Sequence, residues 1–425
     1  MSHQPVISII GGTLWGNRGA QSMLETTIGV LRASFPQARF NIFSYYPKKD
    51  RALASGTHVT VLSAAPLSLA TRHLVGALAG ALLKAAGFKV PRKGFFRVAG
   101  ALAESDVLLD IGGITFSDRR EKFLLFNILC IWPAMLLGVP VVKLAQALGP
   151  FRGALNCNCA RAFLPRCRRI FARGEQTAAH LADLGLNSAS CEASADIAFL
   201  YRPEYSLTSE NGERVDALVG WMRQQQESGR KVIVLSPSAL VEKESRHEGM
   251  DTAENFFAAI RALGGSGYAF VFMPNATRAG SEKAHNNDLL TITNWKNRAE
   301  SGALPADILA AASWVDFDVN AAGIRRVIAG ADLLVTSRYH AMISGLCLAV
   351  PTIVLGWGHK YRETMREFGL EAYSLDFGEN GAGLDGLMRA ALAQTGEIRK
   401  KIAAQQGRVA SLAKKQFTYL EGLLR

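Results

Sequence analysis

Short runs of β-branched and aromatic residues alternate with longer stretches of helical periodicity along most of the chain, and this alternation constrains the fold most strongly. It is typical of βαβ units, in which a helix connects two parallel strands. The predicted strands fall into two series. The earlier series lies near Val6–Ile10, Arg39–Ser44, Val59–Leu62, Val107–Ile111, Val139–Leu144 and Ile170–Ala172. The later series lies near Val232–Leu235, Phe270–Met273, Trp314–Phe317, Leu333–Thr336 and Thr352–Leu355.

Two series of strands in a chain of 425 residues predict two domains. The polar segment from Tyr201 to Arg230 separates them. We therefore predict an α/β protein with an N-terminal Rossmann-like domain over residues 1–203 and a C-terminal one over 204–425, facing a cleft. The stretch Ile398–Arg425 predicts one basic amphipathic helix, which could pack back on the N-terminal domain. Ligands of parallel sheets bind beyond the carboxyl ends of the strands, so functional residues should follow strands.

The chain is basic, with a formal net charge of +12. Basic surfaces attract nucleic acids, anionic membranes or anionic small substrates. Nucleic acid is not expected, because the basic runs lack a stacking pattern of aromatic residues and no nucleic-acid motif is present. The apolar stretch Leu67–Phe88 precedes the basic run Lys89–Arg97. Together they predict either a peripheral contact with a membrane surface or a helix packed into the core.

Targeting and metal-binding signals point to a cytoplasmic protein without a metal. The N-terminal segment has no basic stretch followed by a long apolar one, so we expect the cytoplasm, with a peripheral position on the inner face of the membrane as a further option. The one close cysteine pair, Cys157 and Cys159, has no histidine at zinc-ligand spacing. No metal site is therefore predicted.

Glycine-rich turns follow two strands of the first series. Asn17 and Gly19 belong to the turn after the first strand, where a helix begins. Glycines there allow a ligand to approach the backbone, although a tight turn without a ligand is equally compatible. Gly112 and Gly113 form the second turn, and Asp118 follows them. Its carboxylate could bind sugar hydroxyls or cap the following helix.

Three strand ends carry cationic residues. Arg173 follows Ile170–Ala172, where it could bind a carboxylate or phosphate, or pair with Glu175 or Asp196. The motif Ser337-Arg338-Tyr339-His340 follows Leu333–Thr336 and begins an apolar helix. A hydroxyl, a guanidinium and an imidazole at a helix N-terminus serve anion binding and proton transfer. Lys360 ends the segment Gly356-Trp357-Gly358-His359-Lys360 after the next strand, so it should reach the same pocket.

In identity and order, these motifs resemble those of the polysaccharide pyruvyl transferase family. The shared residues are Asn17-x-Gly19-Ala20, Gly112-Gly113-x3-Ser117-Asp118, Gln146-x-x-Gly149-Pro150-Phe151, Arg173-x-Glu175, Asp196, Ser337-Arg338-Tyr339-His340-Ala341, Lys360 and Met365-x3-Gly369. Ala20 stands where the family often has aspartate, Asp110-Ile111-Gly112-Gly113 stands where Gly-Gly-Gly is common, and Tyr339 replaces the more usual leucine. The departures fall mainly in the half expected to hold the acceptor, so they affect the identity of the sugar more than that of the donor.

The resemblance implies a fold similar to that of GT-B glycosyltransferases. It also implies transfer of the pyruvyl group of phosphoenolpyruvate to two hydroxyls of one sugar, which gives a pyruvate ketal and phosphate without a cofactor. The acceptor is expected to be a sugar of a bacterial-type surface polysaccharide, such as a capsule, exopolysaccharide or wall polymer, or its undecaprenyl-diphosphate-linked precursor. The implied roles are phosphoenolpyruvate binding for Arg173, Ser337, Arg338 and Lys360, catalysis for His340 and Arg338, and acceptor binding for Asn17, Gly19, Gly112, Gly113 and Asp118.

A nucleotide-sugar-dependent glycosyltransferase of the same architecture is the alternative. Such an enzyme typically binds the ribose through a glutamate that follows a glycine-rich turn. Glu363 follows Lys360, but no convincing ribose motif surrounds it.

Overall fold

The computed structural model describes residues 4–54, 58–209, 211–281, 286–356, 359–376 and 383–425. Trp357 and Gly358 of the predicted turn lie outside the described residues, and of His359 only the backbone is described.

The chain divides into two structural units. The first, here the first domain, contains the residues up to Trp15 together with Ala20–Thr208 and Val409–Arg425, and the second domain contains Gly16–Gly19 and Ser209–Arg408. The first domain extends to Thr208, whereas the sequence-based boundary follows residue 203, and the segment Gly16–Gly19 is grouped with the second domain. The end of the C-terminal helix is grouped with the first domain, the one on which the sequence predicts that this helix could pack.

The first domain contains an eight-stranded parallel sheet. Its strand order is β3-β2-β1-β4-β6-β7-β8, and β5 pairs with β6. The strands are β1 (Val6–Ile10), β2 (Arg39–Ser44), β3 (Val59–Ser63), β4 (Val107–Asp110), β5 (Ile114–Thr115), β6 (Val141–Leu148), β7 (Arg169–Arg173) and β8 (Cys191–Ser194). All six predicted strands are present, and β5 and β8 are additional. The central strands are buried along their length and mostly apolar, because a parallel sheet is covered on both faces.

Helices cover the faces of this sheet. They are α1 (Arg18–Ser34), α2 (Pro47–Leu53), α3 (Pro66–Ser68), α4 (Gly76–Ala85), α5 (Arg97–Ala103), α6 (Leu124–Leu136), α7 (Ala154–Phe163) and α8 (Glu175–Asp183). A π-helical segment, Leu69–Val75, joins α3 to α4, so that one helix runs from Pro66 to Ala85. By length and composition, this is the one helix among the described residues that could cross a membrane.

The second domain contains a six-stranded parallel sheet in the order β11-β10-β9-β12-β13-β14. Its strands are β9 (Lys231–Ser236), β10 (Tyr268–Phe272), β11 (Ala312–Trp314), β12 (Leu333–Thr336), β13 (Thr352–Gly356) and β14 (Ser374–Asp376). Its helices are α9 (Gly212–Glu227), α10 (Ala239–His247), α11 (Thr252–Leu263), α12 (Asp288–Arg298), α13 (Ala306–Ala310), α14 (Ala321–Ala329), α15 (Tyr339–Cys347), α16 (His359–Glu367), α17 (Leu384–Ala393) and the start of α18 (Thr395–Leu424).

Both sheets reverse their strand order at the first strand of each domain. In the first sheet β1 lies between β2 and β4, and in the second β9 lies between β10 and β12. A reversal of this kind is the topological switch point of a Rossmann-like sheet, and ligands bind outside the carboxyl ends of the strands there. The predicted α/β class with two Rossmann-like domains is therefore confirmed.

Candidate active site

The Ser-Arg-x-His motif lies at the switch point of the second sheet. Strand β12 ends at Thr336, and α15 begins three residues later. The N–H of Ser337 donates to the carbonyl of Ser236 at the end of β9, at 3.0 Å. The Thr336 hydroxyl donates to the same carbonyl at 2.9 Å and accepts from the N–H of Arg338, also at 2.9 Å. The ends of two adjacent strands thus fix the backbone that carries the motif.

Two serine hydroxyls at this point are buried without a hydrogen-bond partner among the described residues. They are the Oγ atoms of Ser236 and Ser337, and both residues are fully buried. Leaving a buried polar group without a hydrogen bond costs about 1–3 kcal/mol. Each of these hydroxyls therefore needs a partner that the described residues do not supply, such as a water molecule or a ligand.

Arg338 is held by the start of α12. Its guanidinium forms an ion pair with the buried carboxylate of Asp288 and donates to Asn286 Oδ1 at 2.8 Å. The Asp288 carboxylate also accepts from the N–H groups of Ala239 at 2.9 Å and of Asn275 and Ala276 at 3.1 and 2.8 Å. One carboxylate therefore ties together the segments that follow β9, β10 and β12. The sequence analysis missed Asp288, because an acidic residue at a helix start ordinarily only stabilises the helix.

The loop Gly16–Gly19 lies against His340. A Cβ atom built on Gly19 would be 2.1 Å from His340 Nδ1, so only glycine fits there. The Asn17 side chain accepts from the N–H of Gly19 at 3.1 Å, and the Arg18 guanidinium donates to Thr277. The sequence-based boundary predicts Asn17 and Gly19 in the N-terminal domain, but the structure groups them with the second domain, where Gly19 lies beside the imidazole. Their role in acceptor binding stays a prediction.

Lys360 belongs to the same cluster. Its ammonium group lies over the rings of Tyr339 and Tyr361, 5.0 and 5.3 Å from their centroids, an arrangement that favours a cation. The Tyr339 ring contacts that of His340, with centroids 5.4 Å apart. The Tyr361 hydroxyl donates to the carbonyl of Ser337 at 3.1 Å. The two tyrosines therefore connect Lys360 to the motif.

The glycine turn after β4 lies at the switch point of the first sheet. A Cβ atom on Gly11 would lie 2.5 Å from the backbone nitrogen of Gly112, so the two loops touch through their backbones. Arg173, buried at the end of β7, pairs with Asp196 at 2.7 Å and donates to the carbonyl of Gly113 at 2.9 Å. Arg173 therefore pairs with Asp196, which is one of the two acidic partners that the sequence predicts.

Asp118 caps a helix that is distant in sequence. Its carboxylate accepts from the N–H groups of Arg152 and Gly153 at 2.7 and 3.2 Å and from the Asn156 amide at 2.9 Å, at the start of α7. Desolvation raises the pKa of Asp118, but these hydrogen bonds and the charge of Arg152 outweigh it and leave the pKa below its usual value. The cap thus serves α7 rather than the helix that follows Asp118 in the chain.

A buried ion pair in the first domain was not predicted from the sequence. The fully buried ammonium of Lys143, in β6, pairs with Asp110 at the end of β4 and donates to Gln146 Oε1 at 3.0 Å. The same Asp110 carboxylate accepts from the N–H of Gly112 at 3.0 Å. The available signal was a lysine inside a predicted buried strand, which requires a partner.

The structure therefore gathers the predicted residues into two groups. Ser337, Arg338, His340, Lys360 and the loop of Asn17 and Gly19 lie together in the second domain, whereas Gly112, Gly113, Asp118 and Arg173 lie in the first. Within the part of the chain that the structure describes, no three His, Cys, Asp or Glu side chains are arranged to hold a metal ion.

Solved structures show which class this fold belongs to. The chain is similar to a putative UDP-N-acetylglucosamine 2-epimerase from Listeria monocytogenes, at 12% identity and a TM-score of 0.56, over 97% of this chain and 94% of the other. It is also similar to UGT71G1 of Medicago truncatula complexed with UDP-glucose, at 9% identity and a TM-score of 0.58, over 99% of each chain. These similarities define a GT-B-like α/β fold.

The family follows from the sequence itself. The chain belongs to the polysaccharide pyruvyl transferase family, whose profile matches residues 17–359. It is also 22% identical over 384 residues to the amylovoran biosynthesis protein AmsJ of Erwinia amylovora, which covers 87% of this chain and 88% of that protein. The resemblance stated from the motifs is therefore confirmed, and the chain is a transferase of polysaccharide modification.

Proposed function

We propose that the protein transfers the pyruvyl group of phosphoenolpyruvate to two hydroxyls of one sugar in a bacterial-type surface polysaccharide or its lipid-linked precursor. The products are a cyclic pyruvate ketal and phosphate. One observation carries the proposal: Ser337, Arg338, His340 and Lys360 lie together at the switch point of the second sheet. Family membership supports the pyruvyl group, and the similarity to AmsJ supports a polysaccharide acceptor.

Phosphoenolpyruvate carries a carboxylate and a phosphate, so its site needs hydrogen-bond donors and positive charge. The hydroxyls of Ser236 and Ser337 and the N-terminus of α15 supply donors. Asp288 balances much of the charge of Arg338, so Lys360 contributes the additional positive charge of this cluster. A role of Arg173 in binding the same anion is also part of the proposal. That guanidinium is paired with Asp196, which offsets its charge. It would therefore act chiefly by donating hydrogen bonds to the anion in a fixed direction.

His340 is the proposed proton-transfer residue. A proton added to the methylene carbon of phosphoenolpyruvate leaves a cationic centre at C2, which one sugar hydroxyl attacks with loss of its own proton. The bond between C2 and the phosphate oxygen then breaks, and the second hydroxyl adds to C2 and also loses its proton. One proton is consumed and two are released, one of which the departing phosphate accepts. His340 acts as the acid toward the methylene or as the base toward a hydroxyl.

The decisive measurement is phosphate release from phosphoenolpyruvate with a panel of lipid-linked and aryl-glycoside acceptors. We expect His340→Ala to lower acceptor-dependent release by about 10²–10⁴-fold, the usual contribution of general acid–base catalysis. His247→Ala, which removes an exposed histidine at the end of α10, is the matched control and should release phosphate at the wild-type rate.

A folded His340→Ala variant with a near-normal rate would contradict the role of the imidazole. Micromolar binding of UDP or GDP without any binding of phosphoenolpyruvate would overturn the whole proposal. That result would favour a nucleotide-sugar glycosyltransferase.

A further inference from the structure

The helix from Pro66 to Ala85 presents an apolar stripe to solvent. Leu67, Val75, Leu78 and Leu82 share one side of the helix and are all exposed. Leu67 and Leu82 keep 77% and 73% of their surface accessible, which is unusual for leucines of a well-packed domain. These four residues are called the apolar stripe below.

The opposite side of this helix is built into the first domain. Leu69, His73 and Ala77 are buried, and the ring of His73 bonds to the carbonyl of Ser63 at 2.8 Å. Burial lowers the pKa of His73 to about 4, so its ring is neutral there at physiological pH. Near the other end, Lys84 donates to the carbonyl of Leu137 at 2.6 Å. A helix held in this way lies along the domain surface, and crossing a bilayer would break these contacts.

A basic segment adjoins the apolar stripe. The loop 86–97 packs onto the buried side of the helix, because Val90 and Phe95 contact Gly80 and Gly76 where these lack a Cβ atom. Lys89, Lys93 and Arg97 of this loop are exposed, as is the ring of Phe88. The 53 residues from 51 to 103 contain seven Lys and Arg residues and no Asp or Glu. Glu104, the next residue, pairs with Arg92 at 2.8 Å, which leaves Lys89, Lys93 and Arg97 as the exposed basic residues of this loop. The surface therefore combines exposed apolar side chains with a net positive charge.

We propose that this surface binds the protein to an anionic lipid bilayer, with the helix lying in the plane of the interface. An interfacial helix presents apolar side chains to the acyl boundary and basic side chains to the headgroups, and the stripe and the loop provide these two features. The proposal concerns a surface remote in sequence from the Ser-Arg-x-His motif and holds whatever chemistry that motif performs.

Charge favours a bilayer over a second copy of the chain. Two copies docked through this surface would bring two segments of net positive charge together, and like charges at an interface oppose association. An anionic bilayer supplies the complementary charge and an apolar layer at once. The membrane is therefore the occupant that fits both features.

Co-sedimentation with large unilamellar vesicles tests the proposal. The full-length protein should partition onto vesicles of three parts phosphatidylcholine to one part phosphatidylglycerol and much less onto phosphatidylcholine alone, with binding weakened by salt. The double variant Lys89→Gln/Lys93→Gln should bind about 25-fold more weakly, about fivefold for each lysine. Leu82→Ser should lose about tenfold.

Matched controls separate this surface from a general effect. Lys400→Gln/Lys414→Gln removes two exposed lysines of α18, and Leu155→Ser removes another exposed leucine in α7. Both should bind vesicles as the wild type does.

Two results would overturn the proposal. One is a failure of the surface to account for binding: either the folded wild-type protein does not bind vesicles at low salt, or the test and control variants lose vesicle binding equally. The other is a dimer in sedimentation velocity that Leu82→Ser dissociates, without vesicle binding, which would make the stripe an interface between copies. Since vesicle binding is measured without substrate, neither result bears on pyruvyl transfer.

Discussion

The two sheets share the arrangement of their switch points but use them differently. At the switch point of the first sheet, Lys143, Asp110 and Gln146 form hydrogen bonds to one another in a buried network. In the second sheet, the hydroxyls of Ser236 and Ser337 are buried without a hydrogen-bond partner among the described residues. The same topology therefore supports a self-contained ion pair in one domain and, in the other, two hydroxyls whose partner the described residues do not supply. Position at a switch point alone does not identify a binding site.

The largest expected effect concerns the buried network of Lys143, Asp110 and Gln146 in the first sheet. Lys143→Met should lower the free energy of unfolding by about 3–5 kcal/mol, because it leaves the buried carboxylate of Asp110 without its counter-charge. Urea unfolding followed by circular dichroism measures the change. Lys231→Met is the control, since the exposed ammonium of Lys231 pairs with Asp332 at 3.5 Å and its loss should cost at most about 1 kcal/mol. Equal losses in both variants would show that the buried pair has no special role.

The next effect concerns the loop beside His340. Gly19→Ala should lower kcat/KM for phosphoenolpyruvate by about 100-fold, since the added methyl group would displace the imidazole by roughly 1 Å or more. Steady-state phosphate release measures it. Gly220→Ala, in α9, meets no atom within 4 Å and should keep full activity with a stability gain of about 0.5–1 kcal/mol. Full activity of Gly19→Ala would contradict a functional role for the contact.

The smallest effect concerns Ser337 at the switch point of the second sheet. Ser337→Ala should change the free energy of unfolding by less than about 0.5 kcal/mol, because its hydroxyl has no hydrogen-bond partner among the described residues. It should weaken phosphoenolpyruvate binding about tenfold or more, as measured by calorimetry. Ser105→Ala provides the contrast, since that hydroxyl bonds to Ser8 at 2.7 Å and its loss should cost about 1–2 kcal/mol. A stability loss at Ser337 equal to that at Ser105 would remove the distinction between the two domains.

Much of the fold was predictable from the sequence, because buried parallel strands are apolar along their length. Three predicted strands, Val6–Ile10, Arg39–Ser44 and Leu333–Thr336, have the observed bounds. The strand Cys191–Ser194 was missed, since it lies at a sheet edge and contains no β-branched residue. Strand β6 was predicted to end at Leu144 but continues to Leu148. Its polar residue Gln146 is buried because it bonds to the network around Asp110, which no local pattern reveals.

The candidate site was predictable only in part. The motif of Ser337, Arg338 and His340 follows a strand, which periodicity alone places at the sheet edge. The neighbourhood of His340 with Gly19 was not predictable, since more than 300 residues separate them in the chain and only the folded structure brings them together. The role of Asp288 was hidden for the same reason, because three of its partners are backbone groups that carry no sequence signal and the fourth, Arg338, lies 50 residues away in the chain.

The way in which Asp288 holds its neighbours has a consequence for redesign. The segments at Ala239 and at Asn275–Ala276 are anchored through their backbone N–H groups, which every residue except proline possesses. The anchor is therefore indifferent to side-chain identity at these three positions. Asn275 and Ala276 are buried and leave no room for larger side chains, whereas Ala239 is partly exposed. A library that randomises Ala239 while excluding proline should therefore retain the loop conformation, so new substrate preferences could be selected there without rebuilding the scaffold.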